Sequence, residues 1–154
     1  MTYPEPQFDE LYREVILDHY RRPRNRGRLA EATGSAEGAN PVCGDEITLQ
    51  VRVNENQIDD LAFEGLGCSI SQASASLMTD RVKGASLNEA REVRSAFRRM
   101  LLDGEEPDPL IGDLEALEGV QKFPVRIKCA LLAWNVLEQA INDQRGRVQD
   151  GGSE

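Results

Sequence analysis

The chain has 154 residues, 40% of them hydrophobic, which suits one globular domain with room for a sizeable core. Its formal net charge of -9 argues against nonspecific binding to nucleic acid, because neutralising phosphates needs a basic surface. No apolar run reaches the length of a bilayer span and no basic-then-hydrophobic leader opens the chain, so the expectation is a cytoplasmic protein with no membrane partner.

In chain order, Phe8, Leu11, Tyr12, Val15, Ile16 and His19 recur at helical spacing and predict an amphipathic first helix that ends before Pro23. Arg21, Arg22, Arg24, Arg26 and Arg28 follow as a local basic run, which reads equally as a docking patch or as a solvated loop. Ile47, Leu49, Val51 and Val53 alternate with polar residues, and a second run over 58–63 completes an antiparallel hairpin; residues 32–39 supply a third strand. Ser69-Ile70-Ser71-Gln72 and Ser86-Leu87-Asn88-Glu89 both fit the capping-box pattern and announce two helices, the first rich in small residues that permit close packing. An acidic, proline-broken loop over 103–109 precedes a short helix around 113–117. The last helix starts near Pro124 and presents Ile127, Ala130, Leu131, Trp134, Leu137 and Ile141 on one face. Strands early and helices late make an α+β domain, a small three-stranded antiparallel sheet covered on one face by helices. The domain is expected to span 1–144, with 145–154 as a flexible tail.

The chemistry lies in three cysteines. An odd number without a CxxC pair favours free thiols or metal ligation over disulfides in a chain read as cytoplasmic. Cys43 stands in Asn40-Pro41-Val42-Cys43-Gly44-Asp45, on a tight accessible loop. Cys68 and Cys129 each lie near a helix N-terminus, where backbone N–H groups and the macrodipole favour a thiolate. With Asp45 they make a four-ligand set, and three thiolates plus one carboxylate suit a borderline-soft ion such as zinc. Taken singly, each cysteine reads equally well as a small buried hydrophobe, and for the set a closed structural zinc site competes with a reactive one. His19, alone on an apolar helix face, reads as a hydrogen-bonded core residue and stays outside the metal set. Arg126 and Lys128 either stabilise thiolate charge, or meet a partner, or are simply solvated. Trp134, at core spacing, reads as packing.

Several separate motifs then occur in a familiar order: Leu17-Asp18-His19-Tyr20 with Pro23-Arg24-Asn25, the Cys43-Gly44-Asp45 turn, Gly67-Cys68 with Ala73-Ser74-Ala75-Ser76, Val82-Lys83-Gly84 to Leu87-Asn88-Glu89-Ala90, and Pro124-Val125-Arg126-Ile127-Lys128-Cys129-Ala130. Together, over about residues 8–142, they resemble the U-type iron–sulfur assembly proteins, the IscU/SufU family, whose fold is the SufE/IscU-like α+β domain. In the scaffold branch, IscU, a histidine precedes the last cysteine; here Lys128 stands there, and the segment between Cys68 and Cys129 is longer by an insertion around 97–121. Both features are similar to the SufU branch.

The resemblance implies Cys43, Asp45, Cys68 and Cys129 on one zinc ion, and a zinc-dependent sulfur acceptor and carrier that works with a SufS-type cysteine desulfurase and passes sulfur to downstream iron–sulfur assembly machinery. It further implies that one thiolate leaves zinc in the complex and a desulfurase histidine takes its place. Cys43, on its Pro- and Gly-flanked loop, is the ligand expected to leave and accept the persulfide, while Cys68 and Cys129 are anchored at helix ends. Two other readings use the same residues: a scaffold that assembles a [2Fe-2S] cluster, made labile by Asp45, and a structural zinc domain in an adaptor. The adaptor is disfavoured because a chain this long has enough core to fold without metal.

Overall fold

The computed structural model describes residues 10–143. The expected tail over 145–154, and Phe8 of the first helix, lie outside the described residues. The elements run α1 (Glu10–Arg21), β1 (Gly34–Asn40), β2 (Asp45–Asn54), β3 (Gln57–Leu66), α2 (Ser69–Val82), α3 (Leu87–Asp103), a 3₁₀ stretch (Pro109–Lys122) and α4 (Pro124–Asn142).

The three strands form one antiparallel sheet in the order β1-β2-β3. Along β2, Asp45, Ile47, Leu49, Val51 and Val53 are buried while Glu46, Thr48 and Asn54 are exposed, so a single face meets the helices. The turn between β2 and β3 is Glu55-Asn56, both residues at positive φ (53° and 64°), the backbone that matches the twist of a tight hairpin. A register shift opposite Arg52 and Val53 lets Ile58 and Leu61, an odd number of residues apart, both point inward.

Buried along nearly its whole length, α2 is the central helix, enclosed by α1, β3, α4 and the 3₁₀ stretch. Its small residues do what the sequence suggests: Ser74 donates to the Ala130 carbonyl of α4 at 2.7 Å, and the Ser76 hydroxyl lies 2.7 Å from His19 Nδ1 of α1. Packing of α4 onto the sheet requires Gly38, where a Cβ would come within 2.8 Å of Val136, and Gly34, where it would come within 1.9 Å of the Asp143 carbonyl.

Three expectations need correction. The capping box read at Ser69 is not formed: Cys68 is the N-cap of α2 and its side chain makes no capping bond. At α3 the Ser86 half forms, accepting from the Glu89 N–H at 3.0 Å, but the Glu89 carboxylate turns instead to Arg81 at 2.9 Å. The short helix expected around 113–117 is a longer 3₁₀ stretch, capped by Asp108 and broken by Gly112 at φ 60°, ψ -133°. This stretch covers α1 and α2, with Tyr12 donating to Glu115 and Arg81 donating to the Leu110 carbonyl.

Candidate metal centre

The site forms where the β1–β2 loop, the entrance of α2 and the second turn of α4 meet. Register pairs Asn40, the last residue of β1, with Asp45, the first of β2, and Cys43 rides on the loop between them. The loop is tightened by the Cys43 N–H donating to the Asn40 carbonyl at 3.2 Å and by Gly44 at φ 73°. Cys43 is half-buried, as a tight but accessible loop implies. The turn read at Cys43-Gly44-Asp45 thus ends one residue earlier, because Asp45 already belongs to a strand and its side chain faces the core, fully buried.

A buried carboxylate needs partners. Asp45 Oδ1 accepts from the Cys68 N–H at 2.9 Å, and the Ser71 hydroxyl lies 3.1 Å away. Asp45 Oδ2 accepts from Asn40 Nδ2 at 3.4 Å. Asp45 therefore takes up one of the free N–H groups at the start of α2, the task the expected Ser69 box would have performed. Gly67 makes this approach possible: it holds φ 145°, and a Cβ there would stand 2.4 Å from Asp45 Oδ1.

Of the four expected ligands, the structure brings Cys43, Asp45 and Cys129 together, with one ligand atom of each lying within 4.8 Å of the others. Cys68 joins through its N–H on Asp45, while its thiol lies outside that 4.8 Å grouping. All three cysteines are free of disulfides. Around a zinc ion at about 2.3 Å from sulfur and 2.0–2.2 Å from oxygen, tetrahedral donors stand about 3.6–3.8 Å apart, so the observed grouping and the donor chemistry fit such an ion.

Without a metal the thiols share protons unequally. The neighbouring Cys129 thiol, with help from the Ser71 backbone N–H, lowers the Cys68 pKa to about 7. The neighbouring Cys68 thiol, then burial, then Cys43 and Asp45, push the Cys129 pKa up. The thiolate bias expected at the start of α4 is thus not seen for metal-free Cys129: the neighbouring Cys68 thiol first, and then burial, push its pKa up.

His19 stays out of this centre, buried against Ser76, as its apolar setting suggests. Lys128 is exposed, whereas Arg126 is buried and its charge favours the Cys68 thiolate. The basic run after α1 is tied to the fold: Arg22 and Arg24 reach Asp18 at 2.7 Å, Arg28 reaches Glu64, and Arg26 donates to the Gly65 carbonyl. Asn40, Ser71 and the burial of Arg126 were not singled out by sequence reasoning. Asn40 stands before Pro41 and reads as a turn residue, and only strand register reveals that it faces Asp45.

The NifU-like N-terminal domain family matches residues 11–150 of the chain. A Bacillus subtilis (strain 168) protein named zinc-dependent sulfurtransferase SufU is 45% identical over 139 residues, covering 90% of this chain and 94% of its own. A Streptococcus pyogenes serotype M1 protein named iron–sulfur cluster assembly scaffold protein IscU is also 45% identical, over 136 residues, 88% of this chain and 85% of its own. The crystal structure of the N-terminal part of a nitrogen-fixing NifU-like protein from Brucella abortus matches with a TM-score of 0.82 at 28% identity, covering 91% of this chain and 98% of that one. By sequence and by fold alike, the chain belongs to the IscU/SufU family of NifU-like N-terminal domains.

Proposed function

We propose that the protein is a zinc-dependent sulfur acceptor and carrier, a sulfurtransferase that takes persulfide sulfur from a SufS-type cysteine desulfurase and delivers it to iron–sulfur cluster assembly. The observation that carries this reading is the convergence of Cys43, Asp45 and Cys129, with the Cys68 N–H on Asp45, at a point where Cys43 alone sits on a hairpin loop. Resemblance to the Bacillus subtilis protein and the lysine at position 128 support it. Cys43, Asp45, Cys68 and Cys129 would hold the zinc. When bound, zinc keeps thiols deprotonated at neutral pH and shields them from oxidation. Residues 1–144 are taken as the working domain, with 145–154 outside it, and the cytoplasm as its compartment; no helix among the described residues is long and apolar enough to cross a membrane.

In the transfer, the Cys43 thiolate attacks the terminal sulfur of the desulfurase persulfide. A new S–S bond forms on Cys43, the enzyme's S–S bond breaks, and its electron pair leaves on the desulfurase cysteine as a thiolate, with no net redox change. Cys68 and Cys129 are anchored by α2 and α4, so the loop is the part free to move toward the partner.

A second reading, a scaffold carrying a [2Fe-2S] cluster as cargo, is favoured by the equal identity to the Streptococcus pyogenes protein. Elemental analysis after anaerobic purification separates the two. About one zinc per chain supports the carrier, and near-stoichiometric iron and sulfide with little zinc supports the scaffold. Peptide mapping by mass spectrometry after incubation with desulfurase and cysteine should find the added sulfur on Cys43, and Cys43→Ser should abolish uptake while retaining some metal. Sulfur on Cys68 or Cys129 with Cys43 unmodified overturns the assignment.

A further inference from the structure

The two oxygens of Asp45 have different neighbours. Oδ1 is committed to the entrance of α2, between the Cys68 N–H at 2.9 Å and the Ser71 hydroxyl at 3.1 Å, and Gln72 Nε2 supports that hydroxyl by donating to it at 3.1 Å. Oδ2 accepts from Asn40 Nδ2, at 3.4 Å. The same Nδ2 lies 3.6 Å from Cys129 Sγ. An amide nitrogen carries two protons, so one group can serve both acceptors, and a carboxylate that can only accept requires the nitrogen rather than the oxygen of the amide to face it.

Asn40 is well placed to do this rigidly. It is 8% exposed, ends β1 and pairs across the sheet with Asp45, so the two side chains share a face by register rather than by chance approach. Cys43 belongs to the loop between them and is not among its side-chain partners. A carboxylate and a thiolate side by side repel, and a neutral double donor between them offsets that repulsion without competing for the ion.

We propose that Asn40 is a positioning residue of the metal centre: its amide clamps Asp45 through Oδ2 and Cys129 through Sγ, so that these two ligands hold their places while Cys43 takes part in transfer. With Oδ1 occupied at the helix entrance, Asp45 offers the ion one oxygen, Oδ2. This inference rests on the reading of the site as a zinc centre and adds to it a residue that does not touch the ion.

The test compares wild type, Asn40→Ala and the near-isosteric Asn40→Asp, which keeps the shape and removes both donors. Zinc affinity is measured by competition with a chromophoric chelator, ligand geometry by the visible spectrum of the cobalt-substituted protein, and folding by far-UV circular dichroism and melting of the metal-free forms. Loss of such an outer partner costs about 10–100-fold in metal affinity, and that loss is expected in both variants, with a weakened or shifted cobalt spectrum and a retained helical signal. Wild-type zinc affinity and an unchanged cobalt spectrum in Asn40→Asp would overturn the clamp. So would a loss of affinity that only parallels a loss of metal-free folding while the cobalt spectrum stays as in wild type. A wild-type protein that takes up no zinc overturns the zinc reading and the clamp together, and is told apart because the failure then appears before any substitution is made.

Discussion

Removing the Asp45 carboxylate takes an oxygen from the metal set and also strips the Cys68 N–H of its acceptor. Asp45→Ala is therefore expected to weaken zinc retention by about 10–100-fold and to lower desulfurase stimulation with it, while all three thiols still react with a thiol reagent. Unchanged zinc affinity would take Asp45 off the metal; under the scaffold reading the same substitution should instead lengthen the life of a reconstituted cluster. His19 makes a separate prediction. Burial, and then the positive charge of Arg24, hold its pKa below the ordinary 6.5, against the weaker opposing pull of Asp80, Asp18 and Asp113. The unfolded chain takes up this proton near pH 6.5 and the folded chain only at lower pH, so the unfolded state binds more protons in that window. Stability should be at its full value above about pH 6.5 and decline as the pH falls toward the lower folded-state pKa. Melting curves from about pH 7.5 to about pH 5 check this, and His19→Gln should flatten that part of the slope. A slope that survives the substitution unchanged assigns it to other groups.

Between the end of β3 and the start of α2, Gly67 sets how closely the helix entrance approaches the sheet. Its φ of 145° is a region that side chains with a Cβ rarely adopt, and an added Cβ would meet Asp45 Oδ1 at 2.4 Å and Asp45 Cα at 2.8 Å. Gly67→Ala should lower stability by more than about 1 kcal/mol, read from the denaturant midpoint, and weaken zinc binding because Asp45 must move. Gly44→Ala is the matched control: it also strains a positive φ, of 73°, but nothing lies within 4 Å of its Cβ. It should lose stability by about 1–2 kcal/mol yet keep Asp45 in place. Equal zinc affinities in the two variants would argue against the contact between Gly67 and Asp45 as the limiting one.

Across the whole molecule, the core extends from the inward face of the sheet through α2 to Phe97, Trp134 and the 3₁₀ stretch, well beyond the thiols. Chelation should therefore lower the melting temperature, since bound metal stabilises only the folded state, without erasing the far-UV helical signal. Loss of all helical signal on chelation would make the site primarily structural. The amino-acid order by itself determined α1, the β2–β3 hairpin and α4, because periods of 3.6 and 2 and turn residues are local properties, and it placed the helix after Cys68 through a capping pattern that the structure does not form. It also marked Cys43, Asp45, Cys68 and Cys129, whose neighbourhoods are distinctive over a few residues. Only the tertiary structure decided that Asp45 rather than a Ser69 box satisfies the start of α2, that residues 109–122 coil as 3₁₀ turns around Gly112, that Asn40 faces both Asp45 and Cys129, and that the Cys129 pKa is pushed up while that of Cys68 is brought down. The cap and the clamp depend on distances between residues far apart in the chain, and the proton sharing on burial as well. Spacing along a sequence carries neither.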